Sequence, residues 1–280
     1  MSMEVSRAFR ILGTYKRVRW LTLAAVLICL GVWLASMALP AAHSEYVPHN
    51  PALRRADLFF YPPHADHGPA RDFVFFLGND VGFWSAHQDL AEDLAGQGYA
   101  VVGFDVKPLL TSLPGDTTAA VRDSIFGVVL ASLVRASRHE LGMDALPVIL
   151  AGHSIGAELA VWSAGHVAIP DLLGVVAIAP GARGHLRITL SDMANAGDPD
   201  EPGSFSVARE VAALPTSVRV ALVRGDHDPY RYADSAIVAA GRQRLRLSII
   251  PLAGHSLKRV ILARYVVRRA VAWVAEARPQ

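Results

Sequence analysis

One tripeptide, used twice, carries most of the chemistry in this sequence. Gly-His-Ser occurs at 152–154 and again at 254–256. The first copy continues as Gly152-His153-Ser154-Ile155-Gly156, between the apolar run PVILA and the small-residue run IGAELAVWSA. A serine with glycines two before and two after it, set between a buried strand and a helix, can occupy a strained turn that projects its hydroxyl. The helix start behind it favours developing negative charge. Ser154 is therefore the candidate nucleophile. Its hydroxyl attacks a carbonyl only when a base removes the proton. Of the eleven histidines, His255 lies on the loop after the last apolar run (LRLSIIPLAGHS) and reads as that base. His153 reads as packing or support for the turn. The base in turn needs a carboxylate to fix its tautomer. Two compete after the run VRVALV, Asp228 and Asp226, in Arg224-Gly225-Asp226-His227-Asp228-Pro229. The other of the pair would bond its own turn.

Ester cleavage also needs two backbone N–H donors for the oxyanion. Ile155, directly after the nucleophile, supplies one. The loop Gly78-Asn79-Asp80-Val81-Gly82-Phe83-Trp84 should supply the other, from Asp80 first and Asn79 second. A carboxylate beside an oxyanion is unfavourable, so the Asp80 side chain must turn away or grip a cationic group on the substrate. Glu158, one helical turn past Ser154, either binds a substrate amine or complements the helix dipole.

The elements that must hold these residues alternate along the chain. Nearly continuous apolar runs predict strands at Asp57–Tyr61, Asp72–Leu77, Tyr99–Phe104, Val148–Ala151, Val175–Ala179, Val218–Val223 and Leu245–Ile250, as in a parallel sheet buried on both faces. Helical spacing predicts helices at Ala86–Ala95, Thr117–Leu141, Ser154–Ala164, Tyr232–Ala240 and Leu257–Val274. The fold expected is α/β, a mostly parallel, doubly wound sheet, over residues 57–280. The Gly- and Pro-rich stretch at about 181–216 reads as an insertion over the active face. Residues 40–56 read as a linker.

Ahead of it, Trp20 to Leu39 holds no charged residue, long enough to span about 30 Å of bilayer core. Residues 1–19 carry five basic side chains against Glu4. That flank should stay cytoplasmic and send the body across, as an uncleaved signal anchor or a cleaved signal peptide. The expected location is the periplasmic face of the inner membrane, or the periplasm after cleavage. From Pro40 onward 22 Lys and Arg face 24 Asp and Glu, so the body is not a basic nucleic-acid binder. After Tyr230, ten Arg and Lys stand against Asp234 and Glu276, an excess that either faces anionic lipid or is simply solvated. With one cysteine, Cys29, there is no disulfide framework. No HExxH, no paired His/Cys spacing and no G-x-G-x-x-G after the first strand argue for a metal or a nucleotide, so no cofactor is expected.

The chain resembles the α/β-hydrolases and, more narrowly, the bacterial virulence family of VirJ and AcvB. The resemblance runs over about residues 72–270, through FVFFLGNDVGFWS, LAGQGYAVVGFD, GHSIGAE, LRITLSDMANAG, VAREVAALP and LAGHS. Val81 replaces a glycine of the family's loop, and Trp84 is shifted by one. The likeness implies an α/β-hydrolase fold with His255 as base, and the Gly-x-x-Asp turn favours Asp228 over Asp226. It also implies a secreted serine hydrolase that removes the aminoacyl group from lysyl-phosphatidylglycerol, or a periplasmic association with type IV secretion. The alternatives are a lipase or thioesterase on ordinary acyl esters, and a non-catalytic periplasmic adaptor.

Overall fold

The β-branched and aromatic runs pair into one sheet in this computed structural model, which describes residues 23, 41–113, 118–189, 192, 197–256 and 261–277. The chain divides at Pro40 into two units, and the body is Ala41–Gln280. The sheet strands are β1 (Leu58–Tyr61), β2 (Phe73–Leu77), β3 (Ala100–Phe104), β4 (Val148–His153), β5 (Leu172–Ile178), β8 (Arg219–Gly225) and β9 (Leu245–Ile250). Their order is β1-β3-β2-β4-β5-β8-β9. β1 runs antiparallel to β3, and every other neighbouring pair is parallel. β2, β3 and β4 are buried at every position, which is why their sequences show no polar alternation.

Helices cover both faces. One layer is α3 (Ala119–Glu140), α4 (Ile155–His166) and α5 (Val207–Ala213), packed over Phe75, Leu150, Val175 and Leu222. The other is α1 (Ser85–Ala95) and α7 (Ile261–Ala275), packed over Phe76, Ile149, Val176 and Val223. A short α2 (Val106–Ser112) follows β3, and α6 (Asp234–Gly241) precedes β9. Successive residues of one strand thus feed opposite cores, as the two-residue period requires.

Besides α2, which no helical spacing predicts, three segments depart from the expected organisation. The insertion holds a small antiparallel pair, β6 (Arg183–Gly184) with β7 (Phe205–Ser206), followed by α5. The helix expected at Tyr232–Ala240 is a 3-10 turn, Pro229–Ala233, leading into α6. Residues 41–56, expected as a linker, lie against the domain. Ala41 pairs with Trp84 as an antiparallel bridge, and the His43 amide donates to Gln88 Oε1 at 2.9 Å. The Ser44 hydroxyl sits between the amide and the carbonyl of Phe60. The Tyr46 ring packs on Phe60, and Leu53 is buried.

Among the described residues no helix is long and apolar enough to cross a membrane. The runs 1–19 and 20–39 expected to supply the basic flank and the span lie outside the described residues, Leu23 apart.

Candidate active site

β4 ends at His153 and α4 begins at Ile155, leaving Ser154 alone on the turn with φ 54° and ψ −124°. A non-glycine residue held there is strained, and something around it must hold it. The glycines supply that constraint. A Cβ on Gly152 would come within 2.0 Å of the Gly156 carbonyl oxygen, and one on Gly156 within 2.1 Å of the Gly78 carbonyl oxygen. Only glycines let strand, helix and the β2 loop approach this closely. The G-x-S-x-G spacing is therefore a packing requirement of the turn.

The structure brings three of the expected residues into line across a long sequence separation. His255 Nε2 lies 2.9 Å from Ser154 Oγ. His255 Nδ1 lies 3.2 and 3.3 Å from the two oxygens of Asp228. The Tyr230 ring packs against the imidazole, with centroids 5.0 Å apart. Of the two competing carboxylates, Asp228 is the one at His255. Asp226 instead accepts from the Ala253 amide at 3.1 Å and from His227 Nδ1 at 2.6 Å, bracing the turn against the His255 loop.

Asp228 is buried, and burial pushes its carboxyl up. The His255 hydrogen bond and charge, the Tyr230 amide and the Arg224 guanidinium outweigh that and hold it below the usual carboxylate range. An ionised Asp228 keeps the His255 proton on Nδ1, leaving Nε2 free to accept from Ser154. The spacing of motifs gave no sign of Arg224. It is wholly buried, and its fork reaches Asp228 and Asp234, each at 2.9 Å, and the Pro180 carbonyl at 2.6 Å.

Ile155 is the first residue of α4, so its amide has no carbonyl within the helix to bond. It stands beside Ser154 as an oxyanion donor should. One candidate for the second donor is less free than the sequence suggests. The Asn79 amide meets the Gly82 carbonyl at 3.4 Å. Asn79 could serve an oxyanion only by exchanging that contact, which leaves Asp80 as the expected donor.

Asp80 and Glu158 both line the cavity that opens on Ser154 and His255. Asp192 and Asp198, from the insertion, line it too, and these two were not expected. Glu158 is buried and accepts from the Gly181 amide at 2.8 Å. Burial lifts its carboxyl well above the usual range, and the charges of Asp198 and Asp192 lift it further. Burial lifts Asp80 as well. Asp198 Oδ1 accepts from the Ala182 and Arg183 amides at 2.9 and 3.2 Å, so the carboxylate pins the insertion to the site. Arg183 is the one Lys or Arg among the described residues lining the cavity, and its guanidinium is engaged by the Pro199 carbonyl and Ser204 Oγ. Four carboxyl groups among the described residues thus line one cleft, and of these Asp192 is paired with the buried His185 at 3.0 Å. Burial pushes the Asp192 carboxyl up, but the His185 hydrogen bond, with those of Thr189, outweighs that and holds it below the usual range. Among the described residues no group of His, Cys, Asp and Glu is arranged to hold a metal.

Solved structures share this architecture. A monoglyceride lipase from Saccharomyces cerevisiae, in complex with a substrate analogue, superposes with a TM-score of 0.57 at 15% identity, covering 80% of this chain and 92% of that one. Est1E from Butyrivibrio proteoclasticus, with ferulic acid bound, gives 0.55 at 15% identity, covering 78% and 95%. An α/β serine hydrolase without a lid from Xanthomonas campestris gives 0.51 at 21% identity, covering 79% and 90%. The chain has the α/β-hydrolase fold. No protein-family profile and no curated protein sequence matches it.

Proposed function

We propose that the chain is a serine hydrolase that cleaves a carboxylic ester carrying a positive charge near the scissile bond. The observation that carries this reading is the joint placement of Ser154, His255 and a four-carboxyl cleft around one opening. In the reaction Ser154 Oγ attacks the ester carbonyl while His255 Nε2 takes its proton. The oxyanion meets the Ile155 amide, with the Asp80 amide as second donor. His255 then returns the proton to the departing alcohol, and water repeats the sequence to free the acid.

Burial raises the proton affinity of Glu158 and Asp80, and a cation entering beside them would relieve it. An ammonium beside an ester supplies that charge, and Glu158 and Asp80 line the same cavity as the nucleophile. The aminoacyl ester of aminoacyl-phosphatidylglycerol has this chemistry. The cleft offers Ile155, Pro199 and the Tyr230 ring as its apolar surface, which suits an amino acid and headgroup better than a long acyl chain. This is the substrate we propose, on the outer face of the inner membrane, with the run 20–39 as anchor or cleaved signal and no metal, nucleotide or nucleic acid involved. The similarity of its motifs to VirJ and AcvB supports the same reading.

The test is hydrolysis by the full chain of lysyl-phosphatidylglycerol in vesicles against a neutral short-chain ester. The charged lipid should be cleaved faster. Asp80→Asn and Glu158→Gln should each narrow that preference by several-fold to about a hundredfold, the scale of a charge-assisted contact, while neutral-ester turnover persists. Turnover of medium-chain acyl esters with the aminoacyl lipid untouched would replace this substrate with a lipase's.

A further inference from the structure

Two buried histidines outside the proposed catalytic set form a hydrogen-bonded chain that ends on the main chain of His255. The Trp84 amide donates to His87 Nδ1 at 3.2 Å. His87 Nε2 and His153 Nδ1 are 2.9 Å apart. His153 Nε2 and the His255 carbonyl oxygen are also 2.9 Å apart. The polarity of this chain has one solution. The Trp84 amide can only donate, so His87 Nδ1 is bare and Nε2 carries the proton. His153 Nδ1 then accepts, and His153 Nε2–H donates to the carbonyl, which can only accept. Both rings must be neutral, because a second proton on either would set two donors face to face. Their surroundings agree: burial depresses His153 to about 4 and His87 well below the ordinary histidine range.

His255 needs such support. It lies on a loop after β9, and its ring is held at Nδ1 by long contacts to Asp228 of 3.2 and 3.3 Å. His153 sits at the end of β4, with its backbone fixed by the sheet and by the turn that carries Ser154. The same residue that precedes the nucleophile thus fixes the backbone of the base.

On the reading that Ser154 and His255 act together as nucleophile and base, we infer that His87 and His153 are positioning residues. Their relay of fixed polarity holds the His255 main chain at the distance at which its ring meets Ser154. Neither touches the substrate or the reacting atoms. The second Gly-His-Ser copy supplies the base, and the histidine of the first copy holds it in place.

The test uses the full chain in detergent with 15N-labelled histidine. Long-range 1H–15N spectra at about pH 6 should show two neutral rings with the proton on Nε2. One of these patterns should vanish in His87→Phe and the other in His153→Phe. That readout needs no turnover, so it stands even if wild-type Ser154 fails to react with a fluorophosphonate, a result that would sink the hydrolase reading alone. Where wild type reacts, His153→Phe should lower kcat roughly fivefold to tenfold, the worth of one hydrogen bond, with KM unchanged. His153→Gln keeps a donor near the Nε2 position and should restore most of the rate. A charged ring or an Nδ1–H tautomer at either residue overturns the relay. Wild-type kcat in His153→Phe, or a loss that His153→Gln does not repair, overturns the positioning role.

Discussion

The Arg224 guanidinium and the Asp228 carboxylate meet at 2.9 Å with neither side chain exposed to solvent. This pair ties the end of β8 to the loop that faces His255. Through Pro180 and Asp234, the same guanidinium also ties in the segment after β5 and the start of α6. Arg224→Leu should leave a buried carboxylate without its partner, at a cost of about 3–5 kcal/mol. It should also raise the proton affinity of Asp228. Urea unfolding measures the first effect, and a shift of the acid limb of kcat to higher pH measures the second. An unfolding midpoint equal to that of wild type would show that the fork is dispensable.

Asp228→Asn should lower kcat by roughly three orders of magnitude or more, because an amide favours the wrong imidazole tautomer. Asp226→Asn loosens the turn and should leave kcat within a fewfold of wild type while lowering the melting temperature. Steady-state kinetics on the pair decides the assignment, and a larger kcat loss at Asp226 would reverse it.

Ser154 sits at a backbone angle that costs a side-chain-bearing residue about 1–3 kcal/mol. Ser154→Gly should recover part of that, raising stability by about 1 kcal/mol while abolishing fluorophosphonate labelling and turnover. Thermal denaturation checks it, and a glycine variant less stable than Ser154→Ala would mean the turn is not strained.

Acid should release residues 46–50 from α3. Burial pushes Glu140 up, but the His49 and Asn50 amides, the His49 ring and the Tyr46 hydroxyl together hold it down to about 2. A carboxyl group depressed on folding stabilises above its ordinary range, and that contribution fades as pH falls. The gap in melting temperature between wild type and Glu140→Gln should therefore be constant above about pH 5 and close as pH falls through about 4.5 toward 2. A gap that persists undiminished to the acid end would refute the clamp.

The sheet and the alignment of Ser154, His255 and Asp228 were legible for a simple reason. Strands such as Phe73–Leu77 and Val148–His153 are buried on both faces and announce themselves as unbroken apolar runs. Gly152 and Gly156 are demanded by contacts within the turn itself, so their spacing is local information. What escaped notice depends on partners far off in the chain. Arg224 reads as one more charged residue before a turn until Pro180, 44 residues earlier, is placed beside it. His87 meets His153 across 66 residues. Asp192 and Asp198 look like loop acids, and only the fold of the insertion brings them to the cavity that Ser154 lines. Residues 41–56 have a linker's composition, yet Tyr46 and Leu53 find apolar surface that no local pattern could reveal.

The attachments of residues 41–46 also set how the domain would bear a mechanical load. Tension arriving at Ala41 meets the Trp84 bridge first, then the His43–Gln88 bond, then the paired bonds of Ser44 to Phe60. Edge strand β1, which has β3 as its single partner in the sheet, takes the strain last. Each link is a separate small barrier, and none of the first three is a strand-to-strand bond of the central sheet. The leading segment is therefore a series of sacrificial ties that can yield in chain order while the register of β2, β4 and the Ser154 turn is kept.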